Sequence, residues 1–326
     1  MAEVLDTLGT LVRGQGAYDE ARRLYERCLA LRREIGDTRG IARSLLRLSS
    51  IAQFQGQPAD SARLAREGIA ISRSIGDQGG AASGILDLAV ALLRLGEFAQ
   101  AESTLEESPA LHHNLGFYSA SSSIQQALAQ AHLGKYGEAR AQAEAALSLS
   151  RKIGHRPHIG LACWLLGCVL LTEGAHAEAQ VLFQESVQHF REMEQGEQLS
   201  WALAGLASAE RALNHHAQAR QFFHEALRIC IEIRSKGASL LPSVSLPAIA
   251  LLLAGQGEAE WAVELYALAS RYPYVARSRW YQDLFGLPIT EAAASLPPGS
   301  VKAAEERGRS RDMMATLTEL LAELDE

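Results

Sequence analysis

Histidine, cysteine and carboxylate are the side chains that could do chemistry in this chain, so their spacing comes first. Of the ten histidines, His112–His113 and His215–His216 are adjacent pairs, whose members point in different directions on a helix. His155 and His158 flank Pro157. No HExxH occurs, and no Cys/His spacing matches a zinc site. Cys28, Cys163, Cys168 and Cys230 form no CxxC pair and lie in apolar helical patterns, which reads as reduced core thiols. There is no GxSxG elbow and no GxxxxGK[ST]. Glutamates mix with Arg and Lys on helix faces, as in DEARRLYER at 19–27. That mix gives i,i+4 support rather than an acid/base pair. The sequence predicts no catalytic residue, no metal site and no cofactor. What remains is recognition chemistry, and Trp164, Trp201 and Arg211 are hot-spot residue types.

The 326 residues are 48% hydrophobic and only 6% aromatic, with 9 prolines. That profile favours helices packed through small residues. A net charge of −7 excludes a general nucleic-acid binder, which needs a basic footprint. The longest apolar stretches, such as LACWLLGCVLL at 161–171, are too short to span a bilayer. No signal peptide pattern is present. A cytoplasmic, membrane-free protein is expected.

The elements that must position any site are repeated. Gly16, Gly56, Gly96, Gly134, Gly174, Asn214 and Gly257 are spaced by 40, 40, 38, 40, 40 and 43 residues. Five residues after each comes Ala21, Ser61, Ala101, Ala139, Ala179, Ala219 or Ala262. Eight before, six of the seven have an aliphatic residue, and the fourth has Gln126, which predicts a shifted or atypical helix there. The Gly or Asn permits a left-handed C-cap that ends a first helix. The small residue lets the second helix approach closely. A further break is predicted at Gly36, Gly76, Gly116, Gly154, Gly196 and Gly237. One such hairpin cannot bury its apolar face alone, but stacked neighbours can.

This register resembles the tetratricopeptide repeat. In the first unit Gly9, Gly16, Tyr18, Ala21 and Tyr25 match that family's pattern. The period is longer than the usual 34, and is similar to that of bacterial signalling ATPases of the maltose-activator type. Three residues after the small one of each first helix the family has an aromatic, whereas this chain has Val12, Ala52, Leu92, Gln130, Leu170, Glu210 and Leu253. The resemblance implies an all-α, right-handed superhelical solenoid of about seven hairpins. Its units are about 2–40, 41–80, 81–118, 119–158, 159–198, 199–241 and 242–270, followed by a helical C-terminal cap at 271–326. It also implies that first helices line a concave groove. Carrying the register over places Arg43, Leu46, Gln53, Leu86, Leu93, Ile124, Leu128, Trp164, Cys168, Trp201, Ser208 and Arg211 on that groove. Arg47, Asp87, Gln125 and His132 lie beside it, and Arg43, Arg47 and Arg94 form a stripe suited to a carboxylate. Trp164 and Trp201 either hold a peptide in the groove or fill the core between repeats.

After Ser270 the repeat stops. Thr290 and Ser300 are expected as helix N-caps. The amphipathic MMATLTELLAEL, with Met314, Leu317, Leu320, Leu321 and Leu324 at helical spacing, is expected to cover the last repeat. AVELYALAS (262–270), SRWYQDLFG (278–286), LPP (296–298) and AAEERGRSRD (303–312) are similar to the ends of large bacterial regulators. By that resemblance the chain is the C-terminal part of a signalling ATPase or transcriptional regulator, and binds a protein, peptide or effector under an upstream nucleotide-binding switch domain. The alternatives are a standalone scaffold and a small-molecule sensor. The opening repeat has no cap, so its apolar end offers a surface to a second copy.

Overall fold

Each predicted left-handed turn is present. The computed structural model describes residues 1–107, 116–235 and 242–325. Gly16, Gly56, Gly96, Gly134, Gly174 and Gly257 all have positive φ, as does Asn214 at 65°. In the first turn the Gly16 amide donates to the Arg13 carbonyl (3.0 Å) and the Ala17 amide to that of Val12 (3.2 Å). This double closure satisfies the last carbonyls of the helix.

These turns join helices α1 (Ala2–Gly14), α2 (Tyr18–Glu34), α3 (Thr38–Phe54), α4 (Pro58–Ser74), α5 (Gln78–Arg94) and α6 (Phe98–Glu106). They continue with α7 (Gly116–His132), α8 (Tyr136–Ile153), α9 (Arg156–Thr172), α10 (His176–Glu192), α11 (Gly196–Ala212), α12 (His216–Ser235), α13 (Pro242–Gly255) and α14 (Ala259–Ala269). That makes seven consecutive helix pairs, with no strand among the described residues. Asp37 and Asp77 cap α3 and α5 by accepting from the Gly40 and Gly80 amides, at 2.9 and 3.0 Å. The fold is an all-α repeat of hairpins. The chain divides into two compact units, Met1–Gln126 and Ala127–Glu326, and the division falls inside α7.

The first unit shows how a hairpin closes. Leu5, Val12, Tyr25, Cys28, Leu45, Leu48 and Ile51 form one buried cluster. A Cβ on Gly9 would sit 2.7 Å from the Tyr25 ring, so the small residue is what admits the aromatic of the second helix. Beside that cluster Arg32 is fully buried. Its guanidinium meets Glu3 (2.9 Å), Asp6 (3.5 Å) and the Ser44 hydroxyl (2.7 Å). No sequence pattern pointed to that network.

Several local expectations need correction. α7 keeps the common 17-residue frame, with Gln126 buried in place of the aliphatic, so the fourth first helix is not shifted. The break between α10 and α11 is carried by Glu194 (φ 54°). Gly196 begins α11, and a Cβ there would meet Ile233 at 2.8 Å. Gly116 likewise begins α7. Gly237 and the His112–His113 pair lie outside the described residues. At the four positions of the second unit where the family's aromatic is missing, Leu170 and Leu253 are buried leucines and the other two hold polar pairs. Buried Glu210 accepts from Gln180 (2.8 Å) and meets His215 (2.7 Å), and buried Gln130 donates weakly to Glu138 (3.5 Å).

The C-terminal region belongs to the second unit. It runs through short helices α15 (Pro273–Ala276) and α16 (Arg279–Tyr281), a π-helical turn (Gln282–Gly286), α17 (Leu287–Ala292), a 3₁₀ turn (Ala293–Ser295), α18 (Pro298–Ser310) and α19 (Met313–Asp325). Thr290 and Ser300 are not caps. α17 has Pro288 as its second residue and α18 begins on Pro298, first-turn positions where the missing amide costs nothing. Thr290 instead donates back to the Gly286 carbonyl at 2.8 Å. α18 covers α14, with Arg307 paired to Glu264 at 2.8 Å. α19 packs chiefly on α12. It buries Met313, Thr316, Leu317 and Leu320, so Leu317 and Leu320 of the expected stripe face inward while Met314, Leu321 and Leu324 are half-buried.

Candidate functional site

The tryptophans of the second unit are brought together, and the chain itself covers them. α9 is apolar nearly all round and is buried along most of its length. Trp164 on α9 and Trp201 on α11 have ring centroids 5.7 Å apart. The segment 272–286 then lies against them. The Trp280 ring stands 6.4 Å from that of Trp164, edge to face, and its indole N–H donates to the Thr172 hydroxyl at 3.0 Å. Trp280, Tyr281 and Phe285 are all buried. Edge-to-face and tilted rings of this kind add to what area burial supplies.

His132 is the polar anchor of this arrangement. It is 1% exposed, and its Nδ1 lies 2.7 Å from the Ser278 hydroxyl. Ser278 also accepts from the Tyr281 amide at 3.0 Å, capping α16. Tyr274 packs edge-on to the imidazole at 4.4 Å and Tyr281 stacks at 5.9 Å. Burial holds the His132 pKa down to about 3, so the ring is neutral at ordinary pH.

A cavity of about 30 Å³ remains between Trp164, Cys168, Trp201, Ser208, Trp280 and Phe285. That is room for one water molecule, not for a peptide. Cys168 and Ser208 are buried, the latter donating to the Ala204 carbonyl at 2.8 Å. Arg211 is half-buried, which pulls its pKa down, and it has no ion pair among the described residues.

The corresponding face of the first unit has a different chemistry. Leu46, Leu86, Leu93 and Ile124 are buried and give it an aliphatic floor. Above the floor Gln53 donates to the Asp87 carbonyl (3.0 Å), and Arg94 donates to the Gln53 carbonyl (2.7 Å). Arg13 and Arg47 are half-buried, and the Nε atom of each is buried without a hydrogen-bond partner. Burial pushes the Asp87 carboxyl up to about 7, against the opposing pull of Gln53, Arg13 and Arg47. Gln125 is half-buried on α7. Arg43 is exposed but already tied to Glu3 (2.5 Å) and Asp6 (3.6 Å). Arg13 and the Asp87 environment were not legible as a site, because their proximity depends on stacking α1, α3 and α5.

Among the described residues no group of three or more His, Cys, Asp or Glu could hold a metal ion. All four cysteines are buried and free. Burial pushes Cys163 up to about 12 and Cys230 up to about 11, so both remain thiols. No helix among the described residues is long and apolar enough to cross a membrane.

Hairpins with small residues at the close approaches and left-handed turns between helices define an all-α helical repeat protein. Residues 1–74 match a tetratricopeptide repeat family model, and residues 199–235 match a second model of the same description. The matched segments take in α1–α4 and most of the α11–α12 hairpin. No curated protein matches the chain.

Proposed function

We propose that this chain is a non-catalytic protein-interaction module that captures a partner segment on the first-helix face of its first unit. The observation that carries this reading is the cluster of Arg13, Arg47, Gln53, Asp87 and Arg94 above an aliphatic floor. Its Arg13 and Arg47 side chains are only half-buried and have no ion pair among the described residues. A partner segment with an acidic group between aliphatic side chains satisfies both parts of that surface. The tryptophan face of the second unit is not where we place the partner, because segment 272–286 already fills it. The cavity left there also argues against a small-molecule sensor at the tryptophans.

The finer reading, an effector-sensing arm beneath a nucleotide-binding switch in a bacterial regulator, is supported by the four C-terminal words alone. The structure gives those words another task. SRWYQDLFG packs on the tryptophans, and AAEERGRSRD covers α14. A scaffold accounts for them without a switch domain.

Panning a random peptide display library on the whole protein tests the proposal. Selected peptides should carry Asp, Glu or a free C-terminal carboxylate, and should lose binding to Arg47→Ala and to Arg13→Ala. Peptides that bind both variants as well as the parent would refute it.

A further inference from the structure

Segment 272–286 is tied to itself by its backbone and to the repeats by side chains. It leaves the end of α14, where the Tyr272 amide donates to the Ala269 carbonyl at 3.2 Å, and it returns to α13 and α14 through α17. Between those ends its backbone–backbone hydrogen bonds are local, from Val275 to Tyr272, Arg277 to Pro273 and Gln282 to Ser278. The bonds that reach α7, α8 and α9 join side chains: Ser278 with His132, Tyr136 with Asp283 at 2.8 Å, and Trp280 with Thr172. α18 and α19 have their own seats on α14 and α12. The segment can therefore leave the tryptophan face without breaking a backbone–backbone bond to α7, α8 or α9, and the hairpins beneath keep theirs.

The docked state also leaves a polar group unsatisfied. The Trp201 indole nitrogen is buried with no hydrogen-bond partner among the described residues, beside the cavity of about 30 Å³. A buried donor left unpaired opposes closure. Gln282–Gly286 form a π-helical turn, an uncommon geometry that concentrates at functional sites.

The segment spells out what the face accepts. It supplies the adjacent buried rings of Trp280 and Tyr281, a third at Phe285, and a hydroxyl at Ser278 that meets the His132 imidazole.

We propose that segment 272–286 is a releasable strap, which undocks as one unit and yields the Trp164–Trp201 face to a partner segment carrying clustered aromatic rings of the same kind. In the exchange the Trp201 N–H gains access to a main-chain carbonyl of the partner. This surface belongs to the second unit and is independent of the partner site on the first.

Native-state thiol labelling of the whole protein reads the undocking. Cys168 lines the cavity under Trp280 and Tyr281, whereas Cys163 and Cys230 are fully buried in the repeat core. With excess maleimide and peptide mapping, Cys168 should label at least about 10-fold faster than Cys163 and Cys230. Its rate should stay nearly flat up to about 1 M urea while theirs climb, because undocking exposes little surface. Equal rates with equal urea slopes would mean that the segment leaves only on global unfolding, and would overturn the proposal.

The uncovered face is tested in trans. Ser278→Ala should speed Cys168 labelling by about 5–30-fold. A fluorescent peptide of residues 272–286 should bind Ser278→Ala more tightly than the parent by the same factor, because both measurements read the open population. That binding should persist when Arg47→Ala is added, which separates this face from the first-unit site. A peptide that binds neither chain, binds both equally, or is lost with Arg47→Ala overturns the face as a binding surface. Each of those outcomes leaves peptide capture by the first unit to stand or fall on its own test.

Discussion

His132 and Ser278, 146 residues apart, meet at 2.7 Å in a buried contact, and that contact fixes the C-terminal segment on the tryptophan face. Ser278 serves twice, bonding the imidazole and capping the short helix that carries Trp280. Ser278→Ala should therefore lower stability by about 1–2 kcal/mol, measured by urea unfolding. Trp280→Ala removes the ring over Trp164 and should cost about 3–5 kcal/mol. A red shift of the remaining tryptophan emission should accompany it. A loss below about 0.5 kcal/mol for Trp280→Ala would mean the segment does not hold the face.

Burial of His132 also sets a pH dependence. In the unfolded chain the imidazole gains its proton near 6.5, whereas in the folded protein it resists protonation down to about 3. His158 behaves similarly, held down to about 4 by burial and then by the charge of His155. Between pH 6.5 and 3 these imidazoles bind more protons in the unfolded state, so their contribution to stability falls as pH drops through that window and is level above it, while Asp87 contributes with the opposite sign between about 4 and 7. His132→Gln should flatten the slope measured by urea midpoints at pH 7, 6, 5 and 4. His158 keeps it from vanishing. An unchanged slope would show that the imidazole is hydrated in the folded state.

The repeat was readable because its signals are local. Each Gly or Asn stands at a turn that needs positive φ, and each small residue stands where a second helix arrives, so a spacing near 40 carried both. The docking of segment 272–286 left no periodic trace, because its partners His132, Trp164 and Thr172 lie more than a hundred residues away. The usable signal was composition. Five aromatics fall between Tyr272 and Phe285 in a chain that is otherwise aromatic-poor, and so many rings need a surface to cover. Arg47 and Asp87 were placed beside the groove by their register, but Arg13 and the burial of Asp87 were hidden for a related reason. Each is an ordinary polar residue on its own helix, and the desolvation of Asp87 arises only when three first helices stack.

Asp87 makes the proposed partner site pH-sensitive. Its carboxyl is raised to about 7 by burial from the usual carboxylate range. Between about 4 and 7 the folded state holds the proton more tightly than the unfolded one, so this group's contribution to stability is lost as pH rises through 7. Asp87→Asn should raise stability at pH 8 by on the order of 2 kcal/mol and leave pH 4 nearly unchanged. A neutral Asp87 also removes a negative charge facing an acidic partner. A library-selected acidic peptide should bind more tightly at pH 6 than at pH 8, and equally at both to Asp87→Asn. Fluorescence anisotropy decides it, and tighter binding at pH 8 would exclude Asp87 from the site.

Two glycines of one helix should respond in opposite ways to the same substitution. α18 lies on α14 so closely that a Cβ on Gly308 would sit 2.1 Å from the Glu264 carbonyl oxygen. That neighbour is backbone and cannot rotate away, so Gly308→Ala must push α18 off α14. With it would go the pairing of Arg307 and Arg311 to the buried Glu264 carboxylate. The cost should be about 3 kcal/mol, at the upper end of overpacking, because strain and a broken charge network combine. Gly299 sits in the first turn of the same helix with nothing within 4 Å of an added Cβ. Gly299→Ala there only restricts the unfolded chain, and should stabilise by about 0.5–1 kcal/mol. Thermal melts of the two variants separate the explanations. If both alanines destabilise, helix entry rather than packing controls the cap, and if neither does, α18 is not held against α14 as closely as described.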